Sequence, residues 1–181
     1  TGNIASGSGA TYLGGGISSA SALTLANSIV AGNTSSGSYA DVDIFSGTFA
    51  NNNNVAGTSS SGTSQVSASL AALGNYGGPT QTMISLPGSA AICAGLPANI
   101  PVGVTTDERG YPNMVDNYGR PSCIDAGAVQ TDYSITFVQQ PSTTVQYAAM
   151  APAPTVQLDE SGVPFTVGSA SLPLTLSTGS G

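Results

Sequence analysis

The clearest pattern along the chain lies between Leu23 and Asn33. Leu23, Thr24 and Leu25 alternate apolar and polar, as a half-buried strand requires, and the alternation slips phase at Ala26-Asn27 before Ile29-Val30. This predicts a strand, a sharp corner and a second strand. Tyr12-Leu13 and Ile17 flank a Gly14-Gly15-Gly16 run, and Val42-Asp43-Ile44-Phe45 and Thr48-Phe49 are further short strands. Asn51-Asn52-Asn53-Asn54 follows. Asparagine tolerates left-handed backbone and can stack its amide on a like residue one coil away. The run begins 24 positions after Asn27, near the length of one coil of a parallel β-helix. Beyond residue 130 alternation returns in Ser134-Ile135-Thr136-Phe137-Val138, in Val156 and Leu158, and in Leu172, Leu174 and Leu176. Asp159-Glu160-Ser161-Gly162 reads as an ordinary hairpin turn.

Composition narrows the fold. Leu, Ile, Val and Phe occupy only 37 of 181 positions, which would point to disorder if charge or proline were high. Charge is instead only 6%, against about 25% in an ordinary domain. With 26 Ser, 19 Thr and 24 Gly, the chain suits short strands and tight turns whose small inward side chains stack in layers.

The charges that remain exclude several functions. Arg109 and Arg120 are the only basic residues, there is no Lys or His, and the net charge is -7. Nucleic-acid binding needs clustered Lys and Arg to neutralise phosphates, and polybasic attachment to anionic lipid needs the same. A histidine base, a Schiff-base lysine and a histidine-bound metal are all closed. No stretch approaches the roughly 20 apolar residues of a membrane helix, so this segment is not expected to insert in a membrane. Cys93 and Cys123 suit one disulfide in an oxidising compartment, with two buried thiols as the alternative. The chain opens at Thr1 without a signal peptide, and is expected to be a piece of a longer secreted precursor.

Motifs in order carry a resemblance. Gly14-Gly15-Gly16-Ile17 followed by Asn27-Ser28-Ile29-Val30-Ala31-Gly32-Asn33 resembles the coils of pectate-lyase-like and polymorphic outer-membrane-protein β-helices. More specific are Leu73-Gly74-Asn75-Tyr76-Gly77-Gly78-Pro79-Thr80-Gln81-Thr82 and Leu86-Pro87-Gly88-Ser89-Ala90-Ala91-Ile92-Cys93-Ala94-Gly95. Thr106-Asp107-Glu108-Arg109-Gly110-Tyr111-Pro112 and Cys123-Ile124-Asp125-Ala126-Gly127-Ala128-Val129-Gln130 complete the set. Together they resemble the choice-of-anchor Q domain, which closes the C-terminal end of secreted bacterial β-helix proteins. Glu108 stands where that family usually has Gln, and Asn113 where it often has Arg. After Gln130 the texture resembles the start of a bacterial Ig-like repeat.

A cap has work to do, because a solenoid's last coil exposes its interior and its strand edges. Residues 107–132 hold five of the nine acids and both arginines. Arg109, flanked by Asp107 and Glu108 with Asp125 downstream, reads as a buried or half-buried guanidinium clamp tying cap segments together. The functional alternative is a site for a substrate carboxylate. A Cys93–Cys123 bridge would close a 30-residue loop, worth roughly 3–4 kcal/mol on the chain-entropy model. Asp41 and Asp43 are i, i+2, and so share a strand face. They are a weak calcium candidate or a glycosidase acid and base, but residues 1–105 contain no other acid or base. The plainer reading is solubilising charge on an exposed face. Asn33-Thr34-Ser35 matches a glycosylation sequon, which a bacterial protein is not expected to use.

The expected fold is all-β: a right-handed parallel β-helix of few coils over 1–66, its C-terminal cap over 67–130, and a partial Ig-like β-sandwich over 131–181. The expected role is a non-catalytic structural or adhesive protein of a bacterial cell surface, without cofactor. An open solenoid end and an incomplete sandwich would let a neighbouring chain add strands, giving head-to-tail filaments. A surface glycan or a ligand on a host or neighbouring cell is a further expected partner. The competing role is a carbohydrate-binding or polysaccharide-degrading β-helix module.

Overall fold

The computed structural model describes residues 1–7, 14–60, 68–113, 115–117, 120–145 and 148–166. The class is all-β: thirteen short strands and a single 3-10 turn, Pro97–Asn99, among the described residues. The strand expected over residues 172–176 and the expected boundary at 66 lie outside the described residues, as do Tyr12 and Leu13. The chain forms two compact units, Thr1–Thr131 and Asp132–Gly181.

In the first unit, eight strands pair in parallel. They are β1 (Ile4–Ala5), β2 (Ile17–Ser19), β3 (Leu23–Ala26), β4 (Ile29–Val30), β5 (Thr34–Ser35), β6 (Val42–Ile44), β7 (Phe49–Asn52) and β8 (Val55–Ala56). Leu23 lies beside Phe49 and Ile29 beside Val55, each 26 positions on, and Ile17 beside Val42, 25 positions on. Ile4 pairs with Thr34, and Val42 bridges onward to Ser59.

The corner between β3 and β4 has a residue-level cause. Asn27 sits at φ 46 and Asn53, 26 positions later, at φ 59. Both occupy the left-handed region that asparagine tolerates better than most side chains. The Asn27 N–H donates to the Asn52 carbonyl, and Asn54 accepts from the Ser28 N–H while its own amide donates to the Leu25 carbonyl. Repeated asparagines thus satisfy the backbone where the strands turn.

From residue 68 to 131 there is little sheet. Isolated antiparallel bridges join Leu70 to Ser85, Gly74 to Thr82, Gly95 to Ile124 and Thr106 to Pro112, and β9 (Val115–Asn117) pairs with β10 (Arg120–Cys123). Glycines at positive φ, Gly77, Gly78 and Gly88 among them, make the turns. The core is built of small groups: Val55, Ala91 and Ala126 cluster, with Ile29, Ala68 and Ala94 against them. Few ladder bonds and small apolar groups leave polar side chains to tie this segment together.

The second unit holds β11 (Tyr133–Gln139), β12 (Thr155–Glu160) and β13 (Val163–Pro164) as one antiparallel sheet in that order. Tyr133 stacks edge-on against Phe165, with ring centroids 5.4 Å apart. The turn is Ser161-Gly162 alone. Asp159 and Glu160, expected within it, are buried at the end of β12.

Candidate functional site

Three aspartates organise the first unit, and each is a hub for main-chain donors. Asp41 immediately precedes β6. Its Oδ1 accepts the Asn33 N–H and the Asn33 side-chain amide, both at 2.9 Å. Its Oδ2 accepts the Thr58 N–H at 2.7 Å and the Thr58 hydroxyl at 3.2 Å. Burial pushes the Asp41 carboxyl up, but these bonds from the Asn33 and Thr58 backbone and side chains together outweigh it and hold the group below its ordinary value.

The solubilising reading of this pair is therefore corrected. Asp41 and Asp43 are each only 3% exposed. The calcium reading weakens with it, because both Asp41 oxygens already accept two hydrogen bonds and a calcium ion takes six or more oxygen ligands. Asn33 of the sequon is likewise buried, with its amide committed to Asp41.

Asp107 and Arg109 form the second hub. Arg109 Nε lies 3.1 Å from Asp107 Oδ2, with the side chains 0% and 2% exposed. The guanidinium also donates to the Tyr76 carbonyl at 3.4 Å and to the Gln130 carbonyl at 2.6 Å, and it lies 4.7 Å from the centre of the Tyr111 ring. Asp107 Oδ1 accepts the N–H groups of Arg109 and Tyr111, and Oδ2 accepts the N–H of Gln130. One ion pair thus joins residues 76, 107–111 and 130. Glu108 reaches elsewhere: its Oε1 accepts the Thr80 hydroxyl, and its N–H donates to the Ala128 carbonyl.

Asp125 forms the third hub beside the disulfide. Cys93 and Cys123 are bonded, with Cα atoms 4.7 Å apart, and Cys93 sits at φ 55. Asp125 Oδ1 accepts the Cys93 N–H at 2.8 Å, and Oδ2 accepts the N–H and hydroxyl of Thr131 at 2.8 and 2.6 Å. Its own N–H donates to Gln130 Oε1 at 3.0 Å. Among the described residues, the sole cluster with metal-ligand composition is Cys93, Cys123 and Asp125, and its two sulfurs are consumed by the disulfide.

The sequence did not mark Asn33, Thr58, Thr131 or Gln130 as partners of these aspartates. These are neutral residues whose spacing carries no signal until the folded chain brings them to the aspartates. Gln130 also lines a cavity of about 550 Å³ with Ile100, Val104, Ile124 and Val129. It is 5% exposed, and its Nε2 has no hydrogen-bond partner among the described residues.

No family model, curated protein or solved structure matches this chain. Among the described residues, no helix is long and apolar enough to cross a membrane.

Proposed function

We propose that this chain is a non-catalytic structural or adhesive element of an extracellular bacterial surface. In this reading residues 1–66 are coils of a right-handed parallel β-helix, 67–130 their cap, and 131–181 the beginning of an Ig-like module. The observation that carries the structural role is the state of three of its nine carboxylates. Every oxygen of Asp41, Asp107 and Asp125 accepts a hydrogen bond from the chain itself, and each aspartate takes main-chain N–H groups. A general acid or base needs an oxygen facing its substrate, whereas these face the backbone. The coil reading rests on parallel pairs recurring 25 or 26 positions apart.

Association of copies through added strands is part of the proposal. β11 is an edge strand among the described residues and carries exposed Ile135, Phe137 and Val138. Negative-stain electron microscopy of natively purified protein tests it: filaments with a regular axial repeat are expected, and single particles at all concentrations would remove the assembly claim. Release of unsaturated or reducing ends from an acidic polysaccharide would overturn the non-catalytic claim.

A carbohydrate-binding module is the second reading, favoured by the cavity beside Gln130 with its buried amide donor. Binding of neutral oligosaccharides that Gln130→Ala abolishes would select it.

A further inference from the structure

We infer that Thr136 and Gln157 are joined in the mature protein by an ester cross-link between β11 and β12. The two are direct cross-strand partners in the antiparallel ladder, with Ser134 opposite Asp159 one step along the same face. Asp159 holds both. Its Oδ2 accepts the Thr136 hydroxyl at 3.0 Å, and its Oδ1 accepts the Gln157 side-chain amide at 2.6 Å. The hydroxyl and the amide of this cross-strand pair are thus each one hydrogen bond from the same carboxylate. Asp159 is 8% exposed, so its hydrogen bonds face little competition from water.

This set contains a nucleophile, an acyl group and a base, the parts that acyl transfer needs. Thr136 Oγ1 attacks Gln157 Cδ, and its proton passes to Asp159. The carboxyl turns about its Cβ–Cγ bond and returns the proton to Nε2. The Cδ–Nε2 bond breaks, ammonia leaves, and the Oγ1–Cδ ester remains. No oxidant, metal or other co-reactant enters. The chain has no lysine, so an amine-based cross-link between side chains is closed to it, while hydroxyl and carboxamide groups are abundant. Thr136 stands toward solvent, which lets ammonia escape and leaves the ester open to hydroxylamine. The inference is independent of the structural or adhesive reading.

Intact mass of the reduced full chain, measured by electrospray, is the direct test. The expected mass is about 17 Da below that of the sequence, the loss of one ammonia. Fragmentation should find the Thr136 and Gln157 peptides joined, and hydroxylamine should separate them. Thr136→Ala and Gln157→Glu should keep the full mass of their sequences, as should Asp159→Asn, while Thr136→Ser should still lose ammonia. Wild-type protein at full sequence mass after prolonged incubation at neutral pH would overturn the inference. So would a deficit that maps to ring closure at an asparagine.

Discussion

Arg109 and Asp107 between them hold both backbone polar groups of Gln130. The guanidinium takes its carbonyl at 2.6 Å and the carboxylate takes its N–H at 3.0 Å, while the two charges pair at 3.1 Å. The pair therefore fixes where the non-strand segment at Gln130 lies. Removing one member leaves the other charged and buried.

That asymmetry sets the first prediction. Arg109→Ala should cost about 3–5 kcal/mol, the range for breaking a buried pair by removing one partner. Arg109→Lys should recover only part of this, because an ammonium cannot reach Asp107, Tyr76 and Gln130 with one planar fork. Chemical denaturation of both variants checks it. A cost below 1 kcal/mol for the alanine variant would show that the pair is not a tie.

Asp41 predicts a pH dependence whose sign follows from its lowered value. Between the unfolded value, about 3.8, and the lower folded one, the unfolded chain binds a proton that the folded chain does not. The contribution of Asp41 is complete above the unfolded value and is lost as pH falls through the folded one. Denaturation midpoints measured from neutral pH downward should decline in that window. Asp41→Asn should decline less steeply, and should be less stable at neutral pH by about 1–3 kcal/mol, since its amide nitrogen meets N–H donors.

Gly16 lies against the same hub. A Cβ there would stand 2.6 Å from the Asp41 carbonyl oxygen and 2.7 Å from Asn33 Nδ2. Gly16→Ala should destabilise by on the order of 2 kcal/mol through forced displacement of backbone. Gly88→Ala supplies the contrast, because its Cβ would meet nothing within 4 Å and its cost would come only from its φ of +83. Thermal melts of the two variants separate crowding from backbone strain.

Reduction of Cys93–Cys123 should lower stability by about 3–4 kcal/mol if closure of the intervening loop is the main term. Intact protein that takes up alkylating reagent without prior reduction would disprove the bond.

What the sequence determined by itself was local or solitary. The phase slip at Ala26-Asn27 marks a corner because asparagine is one of few residues that turn left-handed there, and Asn27 at φ 46 makes that corner. Arg109 stands out because an arginine directly after two acids, one of only two basic residues in a chain with 6% charge, has few roles other than pairing. All-β class follows from short alternating runs broken by glycine. Tertiary structure alone decided which groups those charges meet. Tyr76 and Gln130 offer Arg109 their backbone carbonyls, which every residue carries, from 33 and 21 positions away. Asp41 gives the opposite lesson. An isolated acid in a polar stretch reads as solvated, because burying a charge is unfavourable unless donors converge on it. Those donors, from Asn33 and Thr58, converge on it only when neighbouring strands pair in register, and nothing along the chain announces that.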